Sequence, residues 1–431
     1  MEDGREGRLS RPPEGCRDIM PEEATWRRRA EEAMAGVMRR WGYREVVTPT
    51  LEFDSCVAVT GSVSGQTYRF VDRRGEVLTL RPDMTGPLAR LAATKLALEG
   101  MPLRLFYAGS IFRYYDGNDS RNNETFQMGA ELIGRAGPHG DAEVVCMALD
   151  CLAAVGFKDF RLVLGHAGFL EALLLDVGLL PDDRRGLLEL LQARDLAGIR
   201  RRLTFLRESG RLLLAPDPAA ALEALLTGSY AWAPPREGPV LPAGLCGLVG
   251  ELSRRALGDL EAVVELVEVH AGLDKVTVDL GLVRDLDYYT GPVFEIYAPG
   301  TGLFIGGGGR YDDLLARFGV DRPATGFALN LDEMAALALR EDRQAYLLDY
   351  VVIPAEGLMK EAWALGRELR RCGFSVCVEE GGGGPPAREV VRVTRRNAAD
   401  LLAEIRARGE VTAKAPDSPP SPRPCRLQSI H

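Results

Sequence analysis

The sequence predicts an α+β protein: an antiparallel sheet flanked by helices, with a helical insertion and a small C-terminal α/β unit. Three observations predict it. Strand-like runs between Thr67 and Ile133 follow one another through short polar turns, the pattern of antiparallel pairing. From Ala167 to about Leu257 the texture becomes rich in Leu, Ala and Arg, with leucines at helical spacing. Tyr346 to Glu379 then follows a β-α-β pattern.

Taken in order, Glu22 to Trp41 is a helix of charged and small residues stopped by Gly42. Tyr43 to Val47 alternates toward Pro49, which suggests a strand ending at a turn. Thr67–Asp72 and Glu76–Leu80 flank Arg73-Arg74-Gly75, a hairpin signal. Arg104–Tyr115 and Thr125–Ile133 are further extended runs, and polar Asp116–Glu124 between them is a loop. Asp141–Ala154 is a buried helix and Phe160–Leu164 a strand. In the insertion, Leu170, Leu173 and Leu174, then Leu187, Leu188, Leu190 and Leu191, mark helical faces, with a break at Trp232–Pro242. Strand character resumes at Val276–Leu280 and Val293–Tyr297. Tyr346–Ile353 and Ser375–Glu379 bracket a helix over Leu358–Arg371, and Gly381–Pro386 interrupts this unit. The expected organisation is residues 1–340 as the main domain, with its insertion at about 167–257. Residues 346–409 form the small unit, and 410–431 form a Pro-rich disordered tail.

At 431 residues, the length allows two or three domains of about 150 residues each. With 46% hydrophobic and 27% charged residues the chain is not wholly disordered. A net charge of −9 argues against nucleic acid as the main partner, because phosphate contacts call for a basic excess. Met1–Gly15 has no apolar stretch of the secretory type, and no run of 18 apolar residues occurs, so no membrane association is expected. The eight cysteines are dispersed without C-x-x-C, as in reduced cytoplasmic thiols. Four scattered histidines leave no His-rich metal site, and no cofactor motif is found.

Four constellations could carry chemistry. Gly281 to Gly291 places Arg284, Asp285, Asp287, Tyr288 and Tyr289 together, either a surface turn with an ion pair or a polar pocket wall. In the second case the Arg can clamp a carboxylate and a Tyr hydroxyl can fix an imidazole or amino group. Gly306-Gly-Gly-Gly309 precedes Arg310-Tyr311-Asp312 and is either a flexible turn or a floor that lets a ligand approach the backbone. It is neither a P-loop nor a dinucleotide fingerprint. Arg113, Gln127 and Glu131 fall at facing ends of a hairpin. Residues 127, 129 and 131 share one strand face, so Gln127 and Glu131 can point into one pocket over Gly129. The alternative is an exposed strand face with ordinary charges. In Arg81-Pro-Asp83-Met-Thr85, Asp83 either caps the next helix or binds an ammonium.

Together these segments resemble the class II aminoacyl-tRNA synthetase core, and more closely histidyl-tRNA synthetase, from about Arg11 to Leu339. Gly42 to Pro49 resembles motif 1 and Arg104 to Gly134 motif 2. Leu282-Val-Arg-Asp-Leu-Asp-Tyr-Tyr289 and Gly308-Gly-Arg-Tyr-Asp312 resemble the two histidine-specific signatures. The resemblance implies a histidine pocket lined by Asp83, Thr85, Gln127, Glu131, Arg284, Tyr288, Tyr289 and Tyr311, with Arg113 as the motif 2 arginine near the carboxylate.

The departures are equally specific. In Gly326 to Met334, Glu333 stands where motif 3 places an ATP-binding arginine, which reverses the sign of the interaction with phosphate. Tyr115 replaces the motif 2 glutamate that contacts adenine, and Asp83 replaces a pocket glutamate. Arg121 remains, and the segment after Tyr346 is short for an anticodon-binding domain. This combination is similar to the regulatory subunit of short-form ATP phosphoribosyltransferase, a synthetase paralogue without aminoacylation activity. The resemblance implies a non-catalytic subunit with three partners: the short catalytic subunit, a second copy of itself within a hetero-oligomer, and L-histidine as feedback effector. An active histidyl-tRNA synthetase and a stand-alone histidine-binding protein are the other readings.

Overall fold

The computed structural model describes residues 11–61, 66–115, 122–193, 195–212, 220, 222–223, 225, 246–282, 288–298, 303–341, 348–380, 387–394, 397, 400–401 and 403. The chain divides into two compact units, Met1–Leu339 and Arg340–His431.

Helix α1 (Pro21–Arg40) opens the first unit. Pro21 in its first turn and Glu22 and Glu23 behind it suit a helix start, and Arg39 and Arg40 suit its end. Gly42 follows at φ 82°, a conformation few side-chain-bearing residues adopt, and turns the chain into β1 (Arg44–Glu45). The expected strand over 43–47 shortens to these two residues, and Val47 is exposed. A small sheet follows, built from β2 (Leu51–Phe53), β3 (Arg69–Val71) and β4 (Val77–Leu80) in the order β2-β4-β3, with helix α2 (Asp54–Thr60) after β2. Gly75 at φ 88° closes the expected β3–β4 hairpin. Helix α3 (Thr85–Thr94) leads to the main sheet.

That sheet has eight strands. They include β5 (Leu103–Phe112), β6 (Glu124–Ile133), β7 (Arg161–His166) and β8 (Val276–Val278). The rest are β9 (Pro292–Ala298), β10 (Leu303–Arg310), β11 (Ala324–Asn330) and the short β1. Their order is β1-β5-β6-β11-β10-β9-β7-β8. The six inner strands pair antiparallel as expected. The edge pairs β1–β5 and β7–β8 are parallel, because each edge strand returns after a long excursion rather than through a hairpin.

One face of the sheet packs on α1 and on helix α4 (Pro138–Ala154), through Met34, Met38, Met128, Ala130, Leu132, Phe327 and Leu329. The other face carries Leu105, Tyr107, Tyr288 and Tyr311 against Met84 and Leu88. Inserted helices α5 (Ala167–Asp176), α6 (Pro181–Gln192) and α7 (Leu196–Glu208) precede α8 (Glu251–Ala271), which packs on α4 and α5. Helix α9 (Leu331–Glu341) follows β11 directly. The expected break at Trp232–Pro242 lies outside the described residues.

The second unit contains β12 (Leu348–Pro354), helix α10 (Met359–Arg371), β13 (Val376–Val378) and β14 (Ala387–Val393). Its three strands are parallel in the order β13-β12-β14, and Val352, Leu365, Leu369 and Val393 form its core. Gly381–Pro386 and the expected tail 410–431 lie outside the described residues.

Candidate functional site

The site is on the face of the main sheet opposite α1 and α4. Strand register builds it. Glu131 pairs with Gly326 of β11, which pairs with Gly309 of β10; one pleat along, Gly129 pairs with Ala328, and Ala328 with Gly307. Cross-strand partners share a face, so the strip beside Glu131 carries no side chain larger than a methyl group. Gln127, half-buried, continues the face at the position opposite Asn330. The glycines of 306–309 therefore lie inside a strand and not in a flexible turn: a Cβ at Gly308 would overlap the Gly326 carbonyl, and one at Gly326 would overlap Glu131 Oε2. Alternation explains the run, since Gly307 and Gly309 face the pocket while Gly306 and Gly308 allow the close approach of β11.

Glu131 is the centre of this face. It is 2% exposed, and both carboxylate oxygens are engaged. The Thr85 hydroxyl donates to Oε1 at 2.9 Å, and the Tyr311 hydroxyl donates to Oε2. Burial pushes the carboxyl up to about 8; the Tyr311 and Thr85 hydroxyls pull it down, and the nearby Asp83 charge pushes it up again. Tyr107, Tyr288 and Tyr311 lie near it, and Tyr289 packs on Tyr288. Tyr288 stacks edge-on to Tyr311 at 5.6 Å between ring centroids and lies 4.9 Å from Tyr289. Tyr107 comes up from β5 opposite Gly129, where a Cβ would crowd its hydroxyl. Burial raises the phenols of Tyr107, Tyr288 and Tyr311 well above the ordinary value, so they are neutral donors. A buried carboxyl ringed by neutral hydroxyls suits a cationic or N–H-donating ring.

The other expected pocket residues divide. Thr85 and Tyr311 touch Glu131, and Tyr288 and Tyr289 stack beside it. Asp83 is buried, and its Oδ1 accepts the Gly86 amide at 2.9 Å, the capping role at the start of α3. Its charge still reaches Glu131 and Tyr107. Arg113 lies past the end of β5, opposite Asn123, with Nε donating to the Pro82 carbonyl at 2.8 Å. Glu131 pairs with Leu105 at the other end of the hairpin, so register separates the two, with Gln127 between them about 13 Å along the strand from Glu131. Arg284, Asp285 and Asp287 lie outside the described residues, as does Arg121.

The start of α9 differs in character. Asn330 caps it, accepting the Asp332 and Glu333 amides at 3.1 and 3.2 Å. Asp332 is buried and accepts the Phe126 amide at 2.7 Å. Arg27 and Arg17 approach Asp332 at 3.7 and 3.8 Å, Arg17 also bonds Glu23, and the Arg27 guanidinium lies 3.5 Å from the Phe126 ring centre. A helix N-terminus ordinarily favours anions. Here two carboxylates occupy its first turn, and the nearby arginines already serve them.

Sequence reasoning missed Tyr107 and Asp141, and placed Arg310 within a signature without giving it a role. Gly129 in the middle of β6 was the one usable signal for Tyr107, because glycine inside a strand marks a close approach. Nothing local could reveal that Arg310 bonds Asp141 at 2.9 Å, a pairing made only by the fold.

Glu131 also makes a stability prediction. The folded chain holds its proton between the ordinary value of 4.5 and about 8, where the unfolded chain releases it. Stability from this group therefore falls as pH rises through that window. Glu131→Gln removes the liability, so the melting temperature of the variant gains on wild type from pH 5 to pH 8. A constant difference between the two melting curves across that range would contradict the buried carboxyl.

Comparison with known proteins gives a consistent picture. Residues 15–334 match the histidyl-tRNA synthetase family. The chain is 39% identical over 382 residues to an ATP phosphoribosyltransferase regulatory subunit of Moorella thermoacetica, covering 85% of this chain and 91% of that protein. It is 40% identical over 377 residues to one of Symbiobacterium thermophilum, covering 85% and 90%. Among solved structures it is similar to an ATP phosphoribosyltransferase regulatory subunit/histidyl-tRNA synthetase from Bacillus halodurans. The TM-score is 0.74 and the identity 29%, over 88% of this chain and 97% of that one. Histidyl-tRNA synthetase from Nostoc sp. PCC 7120 shares the fold at TM-score 0.70 and 19% identity, over 86% of each chain.

Proposed function

The chain belongs to the family of ATP phosphoribosyltransferase regulatory subunits, which has the histidyl-tRNA synthetase fold, and from that premise we propose that it is a non-catalytic subunit that senses histidine. It supports the short catalytic subunit in condensing ATP with phosphoribosyl pyrophosphate, the first step of histidine biosynthesis, and transmits feedback inhibition. The observation that carries this reading is a contrast between two parts of the first unit. The Glu131–Thr85–Tyr311 cluster is intact and suits an imidazole, while Asp332 and Glu333 stand at the helix start where a nucleotide phosphate would need cations. Among the described residues no group of side chains suits a metal ion, and the reading requires neither metal nor cofactor. No helix among them is long and apolar enough to cross a membrane. Feedback then requires that histidine bind two states of the complex with different affinity. The test is whether the chain raises phosphoribosyl-ATP formation by the short catalytic subunit.

The second copy of the chain has a candidate surface. Leu51, Phe53 and Phe70 are 44%, 51% and 40% exposed and lie on one face of the small sheet, joined by Leu78 and Leu80 through register. An apolar face of this kind marks an interface. The adjoining hairpin tip, Asp72-Arg73-Arg74-Gly75-Glu76, carries both signs, which suits a self-complementary two-fold contact. Phe53→Asp is expected to convert a dimer to monomers in analytical ultracentrifugation while leaving histidine affinity within about twofold. A dimer unchanged by Phe53→Asp would place the interface elsewhere.

A further inference from the structure

Arg310 ends β10 and is 5% exposed. Its side chain points away from the pocket, toward α4. Nε donates to Asp141 Oδ2 at 2.9 Å, Nη2 to the Gly137 carbonyl at 2.9 Å, and Nη1 to Asp312 Oδ1 at 3.0 Å and the Arg135 carbonyl at 3.2 Å. One guanidinium thus joins the loop before α4, α4 itself and the chain just after β10. Asp312 extends the network: its Oδ1 accepts the Ala324 amide at 3.1 Å, and its own amide donates to the Thr290 hydroxyl at 3.0 Å. The Thr290 amide donates to the Arg310 carbonyl at 2.8 Å, and the Tyr311 amide to the Ala324 carbonyl at 2.8 Å.

Tyr311 lies between these two anchored residues. It faces the opposite side of the sheet, with its hydroxyl on Glu131 and its ring against Tyr288. Thr290 likewise fixes the end of the segment that carries Tyr288 and Tyr289.

We propose that Arg310 is a positioning residue for the pocket, whose buried fork fixes Asp312 and Thr290 so that the Tyr311 hydroxyl is held on Glu131. A hydroxyl–carboxylate bond weakens steeply when its donor shifts or tilts. A buried ion pair adds little stability over an apolar filling of the same shape; its contribution here is one defined geometry. No flexible cation replaces the fork, because lysine lacks the planar set of donors that reaches Asp141, Asp312 and two carbonyls at once. The ligand identity rests on the histidine reading above, whereas the geometry does not.

The test is a double-mutant cycle with Tyr311, using the full chain. Arg310→Lys and Tyr311→Phe are each expected to weaken histidine binding about tenfold in calorimetry. The double variant is expected to be no weaker than Tyr311→Phe alone, because residues acting through one contact are not additive. An additive loss in the double variant, or an affinity within about twofold of wild type in Arg310→Lys, overturns the proposal. A second readout needs no ligand: the Glu131 carboxyl titration followed by carbon NMR. Among the described residues, the groups that face or sense Glu131 are Asp83 before α3, Thr85 on α3, Tyr107 on β5, Tyr288 and Tyr311 beyond β8 and β10, and Tyr43 before β1. Loosening the Tyr311 bond moves that titration upward in Arg310→Lys, and no further in the Tyr311→Phe background; an unmoved titration overturns the proposal. An upward shift in a chain that does not bind histidine would retain Arg310 as a positioning residue and refute only the ligand. Asp312→Asn loosens the same fork and serves where Arg310→Lys does not fold, with the same expected shift and the same refuting result.

Discussion

Replacing Glu131 with alanine is expected to lower histidine affinity on the order of 100-fold. Removing a buried hydrogen-bonding group so that its partners are left unsatisfied costs about 1–3 kcal/mol, and every 1.4 kcal/mol is tenfold. Glu131 fits that case because it is 2% exposed and both oxygens are held in place by Thr85 and Tyr311. The variant leaves two hydroxyls aimed at nothing, so the site cannot recover by accepting the ring in another way. Thr85→Val and Tyr311→Phe are milder, since each removes one donor and leaves the carboxylate. Titration calorimetry of the purified chain reads all three. A Glu131→Ala chain that binds histidine as wild type does would remove the pocket assignment.

The second large effect is a persistent absence. Wild-type chain is expected to show no histidine-dependent exchange of pyrophosphate into ATP, and Glu333→Arg is expected not to create it. Two unit charges of like sign 4 Å apart repel by about 4 kcal/mol at an effective dielectric of about 20. Changing Glu333 to arginine reverses one such term. Asp332 remains buried in the same helix turn, and, on the resemblance to motif 2, Tyr115 still stands where a synthetase would carry the carboxylate that contacts adenine. Arg27 stays over Phe126, and Arg17 stays near Asp332. One substitution therefore restores a charge without restoring a site. Pyrophosphate exchange above background in Glu333→Arg would show that the nucleotide side needs far less than this.

Local signals carried much of the fold. The leucine spacing of 170–191, the Gly42 helix stop and the Arg73-Arg74-Gly75 turn each act within a few residues, and each appears where those residues require it. Partners far apart in sequence were not legible. The parallel edge pairs depend on which strand reaches the edge of the sheet after a long excursion, and periodicity carries no information on that. The glycines at 306–309 were ambiguous because a turn and a strand pressed against its neighbour both need residues without a Cβ. In the site, shared parity placed Gln127 and Glu131 on one face correctly. It could not decide between the capping and ammonium-binding roles of Asp83, of which the structure shows the cap through Gly86, nor show that Thr85 and Tyr311 would converge on Glu131 from two other elements. The cap is local, whereas the convergence on Glu131 depends on how α3 and the turn after β10 meet β6, which no local pattern encodes.

The most direct measurement of the central claim is phosphoribosyl-ATP formation by the short catalytic subunit from the same genome. The rate is followed alone, with this chain, and with this chain plus histidine. The account predicts a rise when the chain is added and its loss on adding histidine, with the loss abolished in the Glu131→Ala chain. A catalytic subunit equally active with and without the chain, and equally inhibited by histidine in both cases, would contradict it.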